Sequence, residues 1–205
     1  MKFNRKRLHR RSIRLKDYDY ASAGAYFVTI CAWDRKCLFG DVVNQNMQLN
    51  ENGIIVRDEW MRSSIIRCEI ELDEFIIMPN HMHGIMVINP PVGARRCLAP
   101  ERHKHPNNNI NGYSKDAVHI ANPGATHRVA PTRLKSRSIG AILGQFKSLV
   151  TKQINISRNT PGMPVWQRNY FERVIRNEKE LNIIRQYIQN NPAQWDIDNE
   201  NPMII

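Results

Sequence analysis

His81-Met82-His83 is the strongest chemical signal in this chain of 205 residues. It lies within Met78-Pro79-Asn80-His81-Met82-His83-Gly84-Ile85-Met86-Val87-Ile88, whose part after Asn80 reads as a short apolar strand. Strand side chains alternate between faces, so His81 and His83 point the same way with Cα atoms roughly 6–7 Å apart. Met82 points the other way, toward a core. Two imidazoles at that separation can converge on one metal ion. Near the other end, Tyr187-Ile188-Gln189-Asn190-Asn191 sets Tyr187 and Asn191 one turn apart on one face of a helix. A tyrosine at the edge of a buried stripe is ordinarily a core residue with its hydroxyl in water, and an asparagine before proline ordinarily caps a helix. The combination carries more meaning than either residue.

The elements that must position these groups follow from periodicity. Ala25–Trp33, rich in aromatic and β-branched residues, predicts a buried strand. Leu38-Phe39 and Met47-Gln48-Leu49 predict short strands around the Asp41–Asn46 loop. Asn50 opens a helix to about Arg67, with Val56, Trp60 and Ser63/Ser64 on one face. Ile70 and Leu72 alternate with acids and lead into Phe75-Ile76-Ile77-Met78. Pro79-Asn80 breaks that strand, and the His-Met-His strand returns antiparallel as a hairpin. Ile139, Ile142, Phe146, Leu149, Val150 and Ile154 describe an amphipathic helix. Pro164 to Phe171 is extended. Asn177 with Glu180 forms a capping-box pattern for a last helix that buries Leu181, Ile184 and Ile188, and Pro192 ends it because a residue before proline avoids the helical region. The order predicts an α+β fold: a ferredoxin-like sandwich, its central antiparallel sheet carrying helices mainly on one face.

Three parts of the chain stand outside that pattern. Two flank the main domain of residues 18–195: a basic arm, residues 1–17, and a tail, residues 196–205. Within the domain, about 89–137 loses all period and is rich in Pro, Gly, Asn and basic residues, which predicts an insertion between folded halves. Gly93–Pro100 and Gly124–Pro131 resemble each other but are too short to be structural repeats.

A net charge of +11 points to a polyanionic partner, most often nucleic acid. Arg5, Lys6, Arg7, Arg10, Arg11, Arg14 and Lys16 make the arm suited to phosphates, and Lys147, Lys152 and Arg168 are further candidates for phosphate contacts. Tyr18 and Tyr20 are candidates for stacking on unpaired bases. Cys31, Cys37, Cys68 and Cys97 show no CxxC pair, so zinc fingers and a disulfide framework are not expected, and free thiols in the cytoplasm are. No apolar run reaches membrane-spanning length, and the basic N-terminus lacks the apolar core of a signal peptide. No phosphate-cradling GxxxxGK[ST] loop is present, so no nucleotide cofactor is expected.

In its motifs the chain resembles the HUH single-tyrosine transposases, and within them the REP-associated tyrosine transposases. The resemblance rests on the His-Met-His strand, on Tyr26-Phe27-Val28-Thr29-Ile30, Gly144-Gln145-Phe146-Lys147-Ser148 and Val165-Trp166-Gln167-Arg168-Asn169-Tyr170, and on Tyr187-Ile188-Gln189-Asn190-Asn191-Pro192. It covers about residues 10–195 apart from the insertion. It implies that His81 and His83 are metal ligands, that Asn191 is the third ligand where insertion-sequence relatives carry glutamine, and that Tyr187 is the nucleophile. Two imidazoles and an amide oxygen suit Mn²⁺ and tolerate Mg²⁺. The implied reaction is cleavage and rejoining of single-stranded or hairpin DNA through a 5′-phosphotyrosine, by a nucleoid-associated protein acting as monomer or homodimer. Tyr170 is the alternative nucleophile but lacks an amide four residues on. The competing classes are a catalytically silent nucleic-acid-binding regulator, against which the intact His/Tyr/Asn set argues, and a small-substrate metallohydrolase, against which the charge argues.

Overall fold

The computed structural model describes residues 19–90, 137–198 and 201. The basic arm, Tyr18 and nearly all of the predicted insertion lie outside the described residues. The strands are β1 (Gly24–Cys31), β2 (Gly40–Val43), β3 (Asn46–Leu49), β4 (Ile70–Ile77), β5 (His81–Ile88) and β6 (Phe171–Ile175), and the helices α1 (Glu51–Ile66), α2 (Ile139–Ser157) and α3 (Glu178–Asn190). Four strands form one antiparallel sheet in the order β4-β5-β1-β6, with β2-β3 a separate hairpin. Leaving the hairpin aside, the succession β1-α1-β4-β5-α2-β6 is the ferredoxin-like arrangement, as the element order predicts.

Both faces of the sheet are covered, which is why β5 is buried almost throughout rather than at alternate residues. On one face, Tyr26, Val28, Ile30, Met82 and Met86 pack with Val56 and Trp60 of α1 and with Ile142, Leu143, Phe146, Val150 and Ile154 of α2. On the other, Phe27, Ile85 and Ile175 pack with Ile184 and Ile188 of α3. The two longer helices share one face and α3 alone covers the second. Gly84 is a point of close approach on the α1 side: a Cβ there would stand 2.6 Å from the Trp60 ring.

Several boundaries differ from the sequence reading. The first hairpin strand begins at Gly40 rather than Leu38, because Asn44 and Gln45 take φ of 50° and 62° and make a tight two-residue turn. The last strand starts at Phe171, where the predicted extended segment ends; before it, Trp166 makes only an isolated bridge to Ala32. Asn191 keeps helical dihedrals (φ −58°, ψ −42°) despite preceding proline, and the chain continues into a 3-10 turn, Pro192–Ile197. The α-helix ends at Asn190, as Pro192 predicts, but not through the conformation of the residue before it: Pro192 opens the 3-10 turn, where its missing N–H costs nothing. Cys31 and Cys37 are outside any disulfide as expected, but Cys68 is in one. Cysteine spacing alone shows no such pairing, which depends on which chain segments meet in space.

Candidate metal and nucleophile site

His81, His83 and Ile85 share the α3 face of β5, with Met82 on the opposite face, as strand alternation requires. His83 stands opposite Thr29 of β1 in the sheet register and His81 opposite Cys31. The two imidazole rings are 4.6 Å apart between centroids. Phe27 lies nearly parallel to the His83 ring at 5.4 Å, and Trp195, from the turn after α3, stands 6.1 Å from His81.

The hydrogen bonds orient both rings. Asn80 donates its amide Nδ2 to the Arg35 carbonyl at 3.1 Å, which turns its Oδ1 toward His81 Nδ1, 2.8 Å away. An amide oxygen only accepts, so His81 Nδ1 carries the proton and Nε2 is left with a lone pair. That Nε2 is buried without a hydrogen bond, and so is Asn191 Oδ1. The Asn191 side chain is near enough to His81 to favour its protonated form. Two acceptor atoms buried together with no hydrogen between them are a costly arrangement unless a cation or proton joins them. Thr29 Oγ1 lies 2.8 Å from His83 Nδ1, and the Tyr187 hydroxyl 3.2 Å from His83 Nε2. Hydroxyls donate or accept, so either neutral tautomer of His83 is satisfied.

Burial pushes the His81 pKa down to about 4, with Arg35 adding to the fall and Asp198 and Asn191 partly offsetting it. Burial, and then the neighbouring His81, hold His83 well below its ordinary value. Both rings are therefore neutral at pH 7, the state a metal ligand needs. Among the described residues no three His, Cys, Asp or Glu side chains gather into a metal cluster. The donor set that fits a divalent cation is the two imidazoles with the Asn191 amide oxygen.

Helix α3 brings Tyr187 and Asn191 to this point. Asn177 accepts from the Glu180 N–H at its start, and Glu180 accepts from the Arg176 N–H, close to the predicted capping box. Ile184 and Ile188 are buried on the sheet, which leaves Tyr187 on one flank, 43% exposed, with its ring 5.1 Å from His83. On the other flank Arg185 makes two bonds to Asp73, at 2.9 and 2.6 Å, and Gln189 donates to Glu74 at 3.0 Å.

The structure thus brings together His81, His83, Tyr187 and Asn191. It does not bring Lys147, Lys152 or Arg168 to them, and the other predicted phosphate contacts, from Arg5 to Lys16, lie outside the described residues. Lys147 belongs to α2 across the sheet, where its ammonium donates to the carbonyls of Gln167 and Arg168 at 2.6 and 3.0 Å and burial lowers its pKa. Lys152 and Arg168 are exposed on that same side. Tyr170 packs against the core of the α1–α2 face. Sequence reasoning missed Thr29, Asn80, Trp195 and Asp198. Asn80 alone left a signal, as a side chain adjacent to the histidine pair.

No family model matches the chain. Over 197 residues it is 40% identical to an uncharacterized protein of Haemophilus influenzae, spanning 96% of each chain. The chain belongs to the family of that protein. Among solved structures it is similar to a REP-associated tyrosine transposase bound to a REP hairpin, at 15% identity and a TM-score of 0.46, over 89% of this chain and 74% of that one. It is also similar to a protein of Deinococcus radiodurans assigned as a transposase, at 14% identity and a TM-score of 0.38, over 86% of this chain and 95% of that one. Similarity at these levels says nothing of activity, which is read from the site. Among the described residues no helix is long and apolar enough to cross a membrane.

Proposed function

We propose that the chain is a divalent-cation-dependent enzyme that cuts and rejoins single-stranded DNA at hairpins, with Tyr187 as the nucleophile. One observation carries the reading: the unpaired, buried His81 Nε2 and Asn191 Oδ1 lie beside a second histidine whose Nε2 meets the Tyr187 hydroxyl. A cation-binding set and an exposed phenol at one point are what phosphoryl transfer to tyrosine requires. The excess of basic residues suits a nucleic-acid substrate.

His81, His83 and Asn191 would hold Mg²⁺ or Mn²⁺. When bound, the ion would polarise a phosphate oxygen and offset the charge that develops on it. The Tyr187 oxygen attacks phosphorus in line, the bond from phosphorus to the 3′ oxygen breaks, and that oxygen leaves as a 3′-hydroxyl after taking up a proton. The phenol proton departs to solvent, to which the half-exposed ring is open. The 5′-phosphotyrosine conserves the phosphodiester energy, so a second 3′-hydroxyl can reverse the step without a nucleotide cofactor. The Nε2 lone pair of His83 can serve the tyrosine proton or a cation but not both. If His83 Nε2 held a cation, the Tyr187 hydroxyl would be left without that partner and open to substrate.

The test is incubation of end-labelled hairpin DNA with the protein and Mn²⁺, followed by a denaturing gel. A covalent adduct that disappears in Tyr187→Phe supports the proposal; hairpin binding without adduct, or an adduct that vanishes in Tyr170→Phe instead, overturns it. Calorimetric titration with Mn²⁺ gives an independent reading. Affinity is expected to fall at least tenfold in His81→Ala and in Asn191→Ala, in the range typical of a metal site deprived of one supporting group, while hairpin affinity in the absence of metal is retained.

A further inference from the structure

A groove of about 650 Å³ runs between β6 and α3, lined in part by Phe171, Arg173, Arg176, Lys179 and Ile183. It opens on the same flank of α3 as Tyr187, because Ile183 and Tyr187 are one turn apart on that helix. The sheet register fixes its other end. Thr29 pairs with Phe171 on one side and with His83 on the other, so Phe171, Thr29 and His83 stand abreast across three strands. All three face α3, and Phe171 is about 10 Å from His83, two strand spacings. Phe27 bridges them, with ring centroids 6.3 Å from Phe171 and 6.1 Å from Tyr187.

The lining is that of a single-strand path. Phe171 is 37% exposed although an aromatic of this size is usually covered, and Ile183 beside it is 57% exposed. Of the two acids that line the groove, Glu180 is paired with Arg173 at 2.6 Å and accepts from the Arg176 N–H, and Glu172 is buried. The Arg176 and Lys179 side chains are exposed. An exposed ring flanked by cations, two strands across the sheet from His83, matches the stacking-platform pattern of single-stranded nucleic-acid binders.

We infer that the β6–α3 groove binds the unpaired strand next to the reacting phosphate, with a base stacked on Phe171 and backbone phosphates held by Arg176 and Lys179. The inference rests on the proposed function for its substrate, but its test reads binding alone. In the full-length Tyr187→Phe protein, which removes the chemistry, anisotropy of a fluorescein-labelled single strand is expected to show about tenfold weaker binding for Phe171→Ala. Phe171→Tyr, which keeps a stacking ring, is expected to bind as the parent does. Replacing Arg176 and Lys179 by alanine is expected to flatten the slope of log affinity against log salt by about 1.4, or about 0.7 for each phosphate that goes without its cation. These two cations lie on the surface, so that double variant keeps the test open if Phe171→Ala fails to fold. Unchanged affinity in Phe171→Ala, or an unchanged salt slope in the double variant, overturns the inference. So does a change in sedimentation of the DNA-free protein on groove substitution, which would make the groove a contact between copies of the chain. An absent covalent adduct with a positive binding result would remove the transposase reading and leave the groove as a single-strand site.

Discussion

His81 is held neutral by burial, which ties the stability of the fold to pH. In an unfolded chain the ring titrates near its ordinary value of about 6.5, whereas in the fold it titrates at about 4. Between those values the unfolded chain binds a proton that the folded chain does not, so stability is complete above about pH 6.5 and is lost as pH falls toward 4. For His81 alone the loss is about 3 kcal/mol, and His83 adds to it in the same direction. Urea unfolding of the metal-free protein at pH 7 and at pH 4.5 is expected to show this fall, and to show a smaller one in His81→Gln. At this scale the histidine pair was legible, because alternation along a strand decides facing without any tertiary knowledge. Thr29 and Trp195 were not. The first reaches His83 through strand register, the second reaches His81 because the chain turns back after Pro192, and neither is encoded in local spacing.

At the scale of elements, α3 is steered by its two flanks. Its far flank is fixed to β4 where the strand pairing slips between Leu72 and Phe75. Asp73 and Glu74 fall in that bulge, so both reach α3, whereas successive residues of a regular strand would point to opposite faces. The Arg185 guanidinium beside Asp73 holds its carboxyl below the usual carboxylate range. Arg185→Ala is expected to slow adduct formation by on the order of tenfold, since small misplacement of a reacting group is costly, with Mn²⁺ affinity lowered as well because Asn191 rides on the same helix. Single-turnover gels and calorimetry check the two effects separately. Gly84→Ala tests the opposite face: forcing a methyl against Trp60 is expected to cost about 1–3 kcal/mol by chemical denaturation. The Asn50 and Asn177 caps were readable from the local sequence alone. The bulge had a trace in the sequence, for Leu72 and Phe75 are both core residues yet three positions apart, an odd spacing that a regular strand cannot place on one face.

On the scale of the whole molecule, the sheet separates two kinds of work. Its α1–α2 side is a conventional apolar core, and its α3 side holds the histidines, the tyrosine and the groove. Separation by faces was not readable from periodicity, which gives each helix a buried stripe but not the partner that covers it. Strand order was legible only through the ferredoxin-like succession of elements, since β1 pairs with β5 and β6, both remote in sequence. The basic arm, which is outside the described residues, contributes charge. Deleting residues 1–17 is expected to weaken hairpin binding and flatten its salt dependence, by about 0.7–0.9 for each phosphate the arm neutralises, while leaving Mn²⁺ affinity unchanged. Anisotropy across a salt series together with calorimetry checks both halves of that expectation.

β5 is paired on both edges and covered on both faces. Its amides are therefore expected to exchange with deuterium only when the entire domain unfolds, whereas α3, held through one face and exposed along its Tyr187 flank, belongs to the less protected class. The histidines then act as a stationary frame on every timescale shorter than global unfolding. Any opening of the site to admit or release a strand has to be a motion of the helix, and deuterium uptake in 178–190 that runs ahead of uptake in 81–88 is its signature.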